Sequence, residues 1–112
     1  MSSGFLSDDQ KKYLDSIPNQ SVDFIMGIQD VFTMPQGATV VTGIVAIGSV
    51  RLKDIVEVIT RDGSRFYVKV TGIEKDRKLL ETATKGDQIG ILLPLRHSGI
   101  VSVGDVLFRI DK

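Results

Sequence analysis

The chain reads as an all-β protein, a closed or nearly closed antiparallel barrel, and three observations carry that reading. Short runs rich in β-branched residues recur along most of its length, separated by Gly, Pro, Asp and Ser. One interruption, Arg61-Asp62-Gly63-Ser64, sets Asp-Gly between two apolar-rich runs, a strong hairpin signal. In the second arm Phe66, Val68 and Val70 alternate with Tyr67, Lys69 and Thr71, the period of a strand with one buried face. Closing such strands into a barrel removes free edges, which otherwise invite pairing with other chains.

The elements follow in order. Ser7-Asp8-Asp9-Gln10 has capping-box spacing, with Ser7 as N-cap and Gln10 three residues on. Asp8 and Asp9 then fall in the first turn, where the helix dipole favours negative charge. Tyr13, Leu14 and Ile17 share one helix face, and Pro18 ends the helix at about Ile17. A helix this short is marginal alone in water. It therefore closes one end of the barrel or binds a partner. Strands are expected at Asp23–Phe32 and Thr39–Ala46, with Pro35 in their connection because proline cannot donate to a ladder. Gly43 inside the second run signals a bulge or a close backbone approach. Val50 to Asp54 is a connection, and Ile55–Thr60 and Arg65–Ile73 are the hairpin arms. Their Asp62-Gly63 fits a type I′ turn, whose two central residues need positive φ. Glu74 to Asp87 is polar and charged, with Leu79 and Leu80 as its only bulky anchors. Gln88–Leu93 is a buried strand, Pro94 to Gly104 a loop or short strand, and Val106–Ile110 the last strand. Residues 1–22 thus form an N-terminal extension and residues 23–112 the barrel.

A length of 112 residues suits one domain, and 42% hydrophobic with 25% charged residues is ordinary for a globular chain. The 14 basic and 14 acidic residues balance, whereas a nonspecific nucleic-acid binder is clearly basic. Without cysteine there is no disulfide or thiolate chemistry, which fits a reducing compartment. No run approaches the roughly 18 apolar residues of a membrane helix. Met1 to Asp9 also lacks the basic start and apolar core of a secretory signal. A cytoplasmic location is expected, and Asn19-Gln20-Ser21 is then a chance match to a glycosylation acceptor.

Catalytic chemistry has little to rest on. No Gly-x-x-x-x-Gly-Lys-Ser/Thr segment is present to cradle phosphates, so no bound nucleotide is expected. His97 is the only histidine, Ser98 is too local to argue a triad, and zinc would need more His or Cys ligands. No enzymatic activity, metal or cofactor is expected.

Asp30-Val31-Phe32 followed by Thr39-Val40-Val41-Thr42-Gly43 resembles the opening of the second domain of elongation factor Tu and related translational GTPases. The resemblance continues through Gly48, Asp54-Ile55-Val56-Glu57-Val58, Thr71-Gly72-Ile73-Glu74 and Arg77-Lys78-Leu79-Leu80. It ends with Lys85-Gly86-Asp87-Gln88-Ile89-Gly90-Ile91-Leu92-Leu93 and Gly104-Asp105-Val106-Leu107, so that it covers roughly Phe24 to Phe108. It implies a six- or seven-stranded Greek-key barrel, without the GTPase domain and third domain of that family. In the family this barrel helps hold the aminoacylated 3′ end of transfer RNA. The residues that do so align with Glu74, Arg77 and Gln88, the last a longer amide than the usual Asn. A carboxylate there can accept from ribose or base edges and an Arg can clamp phosphate, with Lys75, Lys78 and Lys85 as basic support. The alternative for this segment is a solvated charged loop.

The chain also departs from the family pattern. Gln36-Gly37-Ala38 stands where Gly-Arg-Gly is usual, and Ile44-Val45-Ala46-Ile47 where Arg-Val-Glu-Arg is usual. If Val41 and Val45 face the core, Ile44 points outward, with Ile47 flanking it near the strand end. Such a pair needs cover, from the Tyr13, Leu14 and Ile17 stripe or from a second protein or second copy. Two functions follow. One is a non-enzymatic module that contacts transfer RNA, the ribosome or a translation factor. The other is a protein-interaction or self-associating module on the same scaffold.

Overall fold

The computed structural model describes residues 5–14, 22–96 and 98–110, apart from the side chains of Tyr13, Leu14 and Ser98. The chain is mainly antiparallel β-sheet with one short helix, α1 Asp8–Leu14. Among the described residues, ten strands replace the expected six or seven: β1 Val22–Gly27, β2 Asp30–Thr33, β3 Thr39–Arg51, β4 Ile55–Ile59, β5 Arg65–Lys69, β6 Gly72–Lys75, β7 Lys78–Leu79, β8 Thr82–Thr84, β9 Gln88–Leu93 and β10 Val106–Ile110. Of the four strands beyond the six expected runs, two come from runs that divide and two, β7 and β8, form within the charged Glu74–Asp87 segment. Asp23–Phe32 breaks at Ile28 and Gln29, because the Ile28 N–H donates to Asp105 O and its carbonyl accepts from Gly104 N, outside the β3 ladder. Arg65–Ile73 breaks at Val70 and Thr71, where the chain leaves β4 and joins β9: Val70 N donates to Asp54 O and Thr71 N to Leu92 O.

β3 is the spine. It is longer than expected, absorbing Val50 and Arg51, and four neighbours pair with it. β2 and then β1 lie along one edge, β9 and then β8 along the other. The pairing path runs β5-β4-β10-β1-β3-β9-β6-β7, with two ends, β5 and β7. The described ladder is therefore open rather than a closed ring. The backbone itself links the two halves, since the stretch from Arg65 to Lys75 pairs first with β4 and then with β9.

Gly43 makes a close backbone approach: an ideal Cβ there would lie 2.2 Å from Gly27 O. The irregularity falls three residues on, where Ala46 is the extra residue between the Met26–Val45 and Ile25–Ile47 pairs. Gly48 has φ 72° and a Cβ would lie 1.8 Å from Asp23 O, so no other residue fits. In the β4–β5 hairpin only Gly63 has positive φ, and Gly63 N donates to Thr60 O while Thr60 N donates to Ser64 O. That is a type I turn with a Gly bulge, not the expected type I′ turn. The type I′ geometry occurs instead at Asp76-Arg77, both at positive φ, between the paired Lys75 and Lys78.

Two apolar clusters lie on opposite faces of the sheet. The main core contains Phe24, Met26, Val41, Val45, Val58, Ile73, Ile91 and Leu107. A second, on the outer face, contains Leu6, Ile25, Ala46, Ile59, Val106 and Phe108, with Ile47 packed against it. β1 and β10 are consequently buried on both sides over their central residues. Leu6 brings the N-terminal extension onto that face. α1 is held by the expected capping box, Gln10 N to Ser7 Oγ at 3.1 Å and Ser7 N to Gln10 Oε1 at 2.9 Å. Gln10 is itself buried, donating through Nε2 to Ile28 O and Asp105 O at 3.3 Å each. The expected stripe cannot be placed, because the Tyr13 and Leu14 side chains and Ile17 lie outside the described residues, as do His97 and Asn19 to Ser21.

Polar groups lock both ends of β10. Asp105 accepts from Ser102 N at 2.7 Å and Arg61 N at 3.2 Å, and burial pushes its carboxyl up from the usual range. Arg109 donates to Asp23, Asp54 and Ser49 O, which ties β10 to β1, β3 and the β3–β4 turn. Glu57, also buried, binds Arg65 at 2.6 Å, and the guanidinium lies over the Phe108 ring at 5.3 Å. None of the described helices is long and apolar enough to cross a membrane.

Candidate binding groove

The groove forms where four strands lie side by side. One row of paired residues crosses them: Asp30 on β2, Thr42 on β3, Gly90 on β9 and Glu74 on β6. Strand alternation sends Val41, Ile89 and Ile91 into the core, so this row faces outward. Gly90 keeps the floor low; a Cβ there would meet Val40 Cγ1 at 3.2 Å. The walls rise on both sides. Phe32 and Met34 stand on one side, 54% and 39% exposed. The Asp76-Arg77 turn stands on the other. The resulting groove has a volume of about 520 Å³.

Glu74, Arg77 and Gln88 all line this one groove, together with Phe32, Met34 and Val40. Residues 3 to 14 positions apart are brought together because β6, β7 and β9 are consecutive in space. The turn that carries Arg77 is two residues long, and an Arg at positive φ in it is uncommon. That conformation sets where the Arg77 side chain leaves the backbone, and both Arg77 and Glu74 line the groove, with no ion pair between them among the described residues.

The basic support is weaker than the sequence suggests. Lys75 lines the groove, but its Nζ donates to Asp87 Oδ1 at 2.8 Å. That bond raises the Lys75 pKa and lowers the Asp87 pKa; Thr84 N, which donates to Asp87 Oδ2, adds to the second effect. Lys78 and Lys85 are exposed and outside the lining. The charged lining is Asp30, Glu74 and Asp76 against Lys75 and Arg77, three negative to two positive, a net of −1.

Ile44 and Ile47 do not form one patch. Both are half-buried, but Ile44 pairs with Gln88 beside the groove, whereas Ile47 pairs with Ile25 and packs on the outer apolar cluster. The extra residue at Ala46 separates them, and nothing in the sequence marks it. Phe32, Met34 and Gly90 went unmarked as groove residues; the signal available was the period of β2, which sends Phe32 to the face opposite Val31.

No protein-family model matches the chain.

Proposed function

We propose that this protein is a non-enzymatic, cytoplasmic binding module. In this reading it is a barrel of the kind that forms the second domain of elongation factor Tu, with no bound nucleotide or cofactor. Its groove takes the aminoacylated 3′ end of transfer RNA. The observation that supports the reading is the convergence of Glu74, Arg77 and Gln88 in one groove with an apolar wall. A terminal nucleoside needs those parts: an apolar surface for the base, a carboxylate for ribose hydroxyls, and a guanidinium and an amide for oxygens. The net charge of −1 suits the uncharged nucleoside end rather than a track of phosphates. Binding is accordingly weak and only shallowly dependent on salt.

The same charge balance, with the exposed Phe32 and Met34, favours the competing reading, a groove for a protein segment. Titration of fluorescent aminoacylated transfer RNA at low salt decides. Saturable binding, weaker for the deacylated form and for Glu74→Ala and Arg77→Ala, supports the RNA end. Absence of a complex, or equal binding by both variants, removes it.

A further inference from the structure

We propose that β5 is a docking edge for an extended acidic segment of another protein. β5 ends the pairing path, with β4 as its single neighbour among the described strands. Hydrogen-bonded residues alternate along an antiparallel pair. Val70 N donates to Asp54 O at one end and Thr60 N to Ser64 O at the other. Ser64, Phe66, Val68 and Val70 thus turn their backbone towards β4, and Arg65, Tyr67 and Lys69 turn theirs to the free edge. No other described backbone group pairs with those three. A partner strand laid there would find unused donors and acceptors at every second residue, the basis of recognition by strand addition.

Edge lysines ordinarily keep a strand single. Here the side chains offer more than repulsion. Tyr67 is 71% exposed and Ile55 53%, on the same face of the hairpin. Beyond Lys69 a pocket of about 210 Å³ is lined by Leu52, Lys53, Lys69, Val70 and Thr71. Neither Lys53 nor Lys69 has a carboxylate at ion-pair distance among the described residues. The site therefore matches a strand carrying carboxylates with an apolar side chain for the pocket. It disfavours a second copy of this chain. An antiparallel β5–β5 pair centred on Tyr67 sets Arg65 opposite Lys69 twice, and like charges directly opposite are destabilising.

The test is fluorescence anisotropy of the full chain with a labelled, N-acetylated Glu-Val-Glu-Ile-Glu-Val amide. Two control peptides carry Lys for each Glu, or N-methyl groups on alternate amides. Tyr67→Pro removes one outward N–H and no β4 hydrogen bond, a substitution that edge strands tolerate. The expected result is saturable binding of the acidic peptide alone. Its dissociation constant rises about tenfold or more in Tyr67→Pro and in Lys53→Glu/Lys69→Glu, as loss of backbone pairing and of charge complementarity requires. If Tyr67→Pro does not fold, the N-methylated peptide carries the same comparison. Equal binding of the lysine or N-methylated peptide overturns the proposal, as does no saturable binding. Self-association of the chain that Tyr67→Pro abolishes also overturns it, since the edge then belongs to a second copy.

Discussion

The two outer faces of this sheet share β3, yet they are built for opposite ends. Over Thr39 to Ile44 the outward side chains are a Val, a Thr and a half-buried Ile, beside the open groove. Over Ala46 and Ile47 the outward side chains join Leu6, Ile25 and Phe108 in a closed apolar cluster. The difference lies in what crosses each face. The N-terminal extension seals one with Leu6 and Gln10, and no described element covers the other. A single strand can thus serve stability at one end and recognition at the other, provided the sheet changes neighbours along it.

Substitutions can break this comparison, and the largest effects belong on the sealed face. Phe108→Ala should cost about 3–5 kcal/mol, since a fully buried aromatic leaves a cavity. Leu6→Ala should cost about 2–5 kcal/mol by the same mechanism, with Leu6 only 6% exposed. Urea unfolding measures both, and a Leu6→Ala loss below half a kilocalorie would mean that the extension does not seal that face. Gln10→Ala should cost about 0.5–1.5 kcal/mol, because the carbonyls of Ile28 and Asp105 lose the side-chain donor but keep their backbone donors. On the open face the order reverses. Phe32→Ala should shift stability within about 0.5 kcal/mol, as an exposed side chain does. It should still weaken whatever binds the groove, by calorimetry with the aminoacylated ligand. Loss of stability without loss of binding would reverse the roles assigned to the two faces.

The smallest effect is electrostatic. Lys75 holds the Asp87 carboxyl below its usual value, so the contribution is fully present above the ordinary carboxylate pKa of about 3.9. It is lost as pH falls through the lower folded value. Thermal melts from pH 5 downward should therefore show a shallower acid loss in Asp87→Asn than in the parent chain. Equal slopes would mean that the Lys75–Asp87 pair adds nothing to stability.

Much of this was legible locally. The capping box at Ser7 and Gln10 acts over three residues, and its two hydrogen bonds formed as the spacing predicts. Gln88–Leu93 and Val106–Ile110 formed at the expected residues, because their apolar runs and flanking turn residues are contiguous. Elsewhere local reading stopped short. Asp62-Gly63 marked the hairpin but not its turn type, since one positive φ and two are compatible with the same dipeptide. Lys75-Asp76-Arg77-Lys78 carries no glycine, so a two-residue turn there was invisible until β6 and β7 paired. The grouping of Glu74, Arg77 and Gln88 came from family resemblance, not from spacing.

The sequence by itself determined the strand-rich class, the main turns and the residues at the ends of α1, all properties of short windows and their periodicity. Only the tertiary structure decided that Ile44 and Ile47 part company, that Gln10 is a buried donor, and that Glu74 shares a row with Asp30 across Gly90 and Thr42. Each of these depends on register between strands far apart in the chain. A one-residue irregularity such as that at Ala46 changes which side chains share a face without changing the pattern on either side of it.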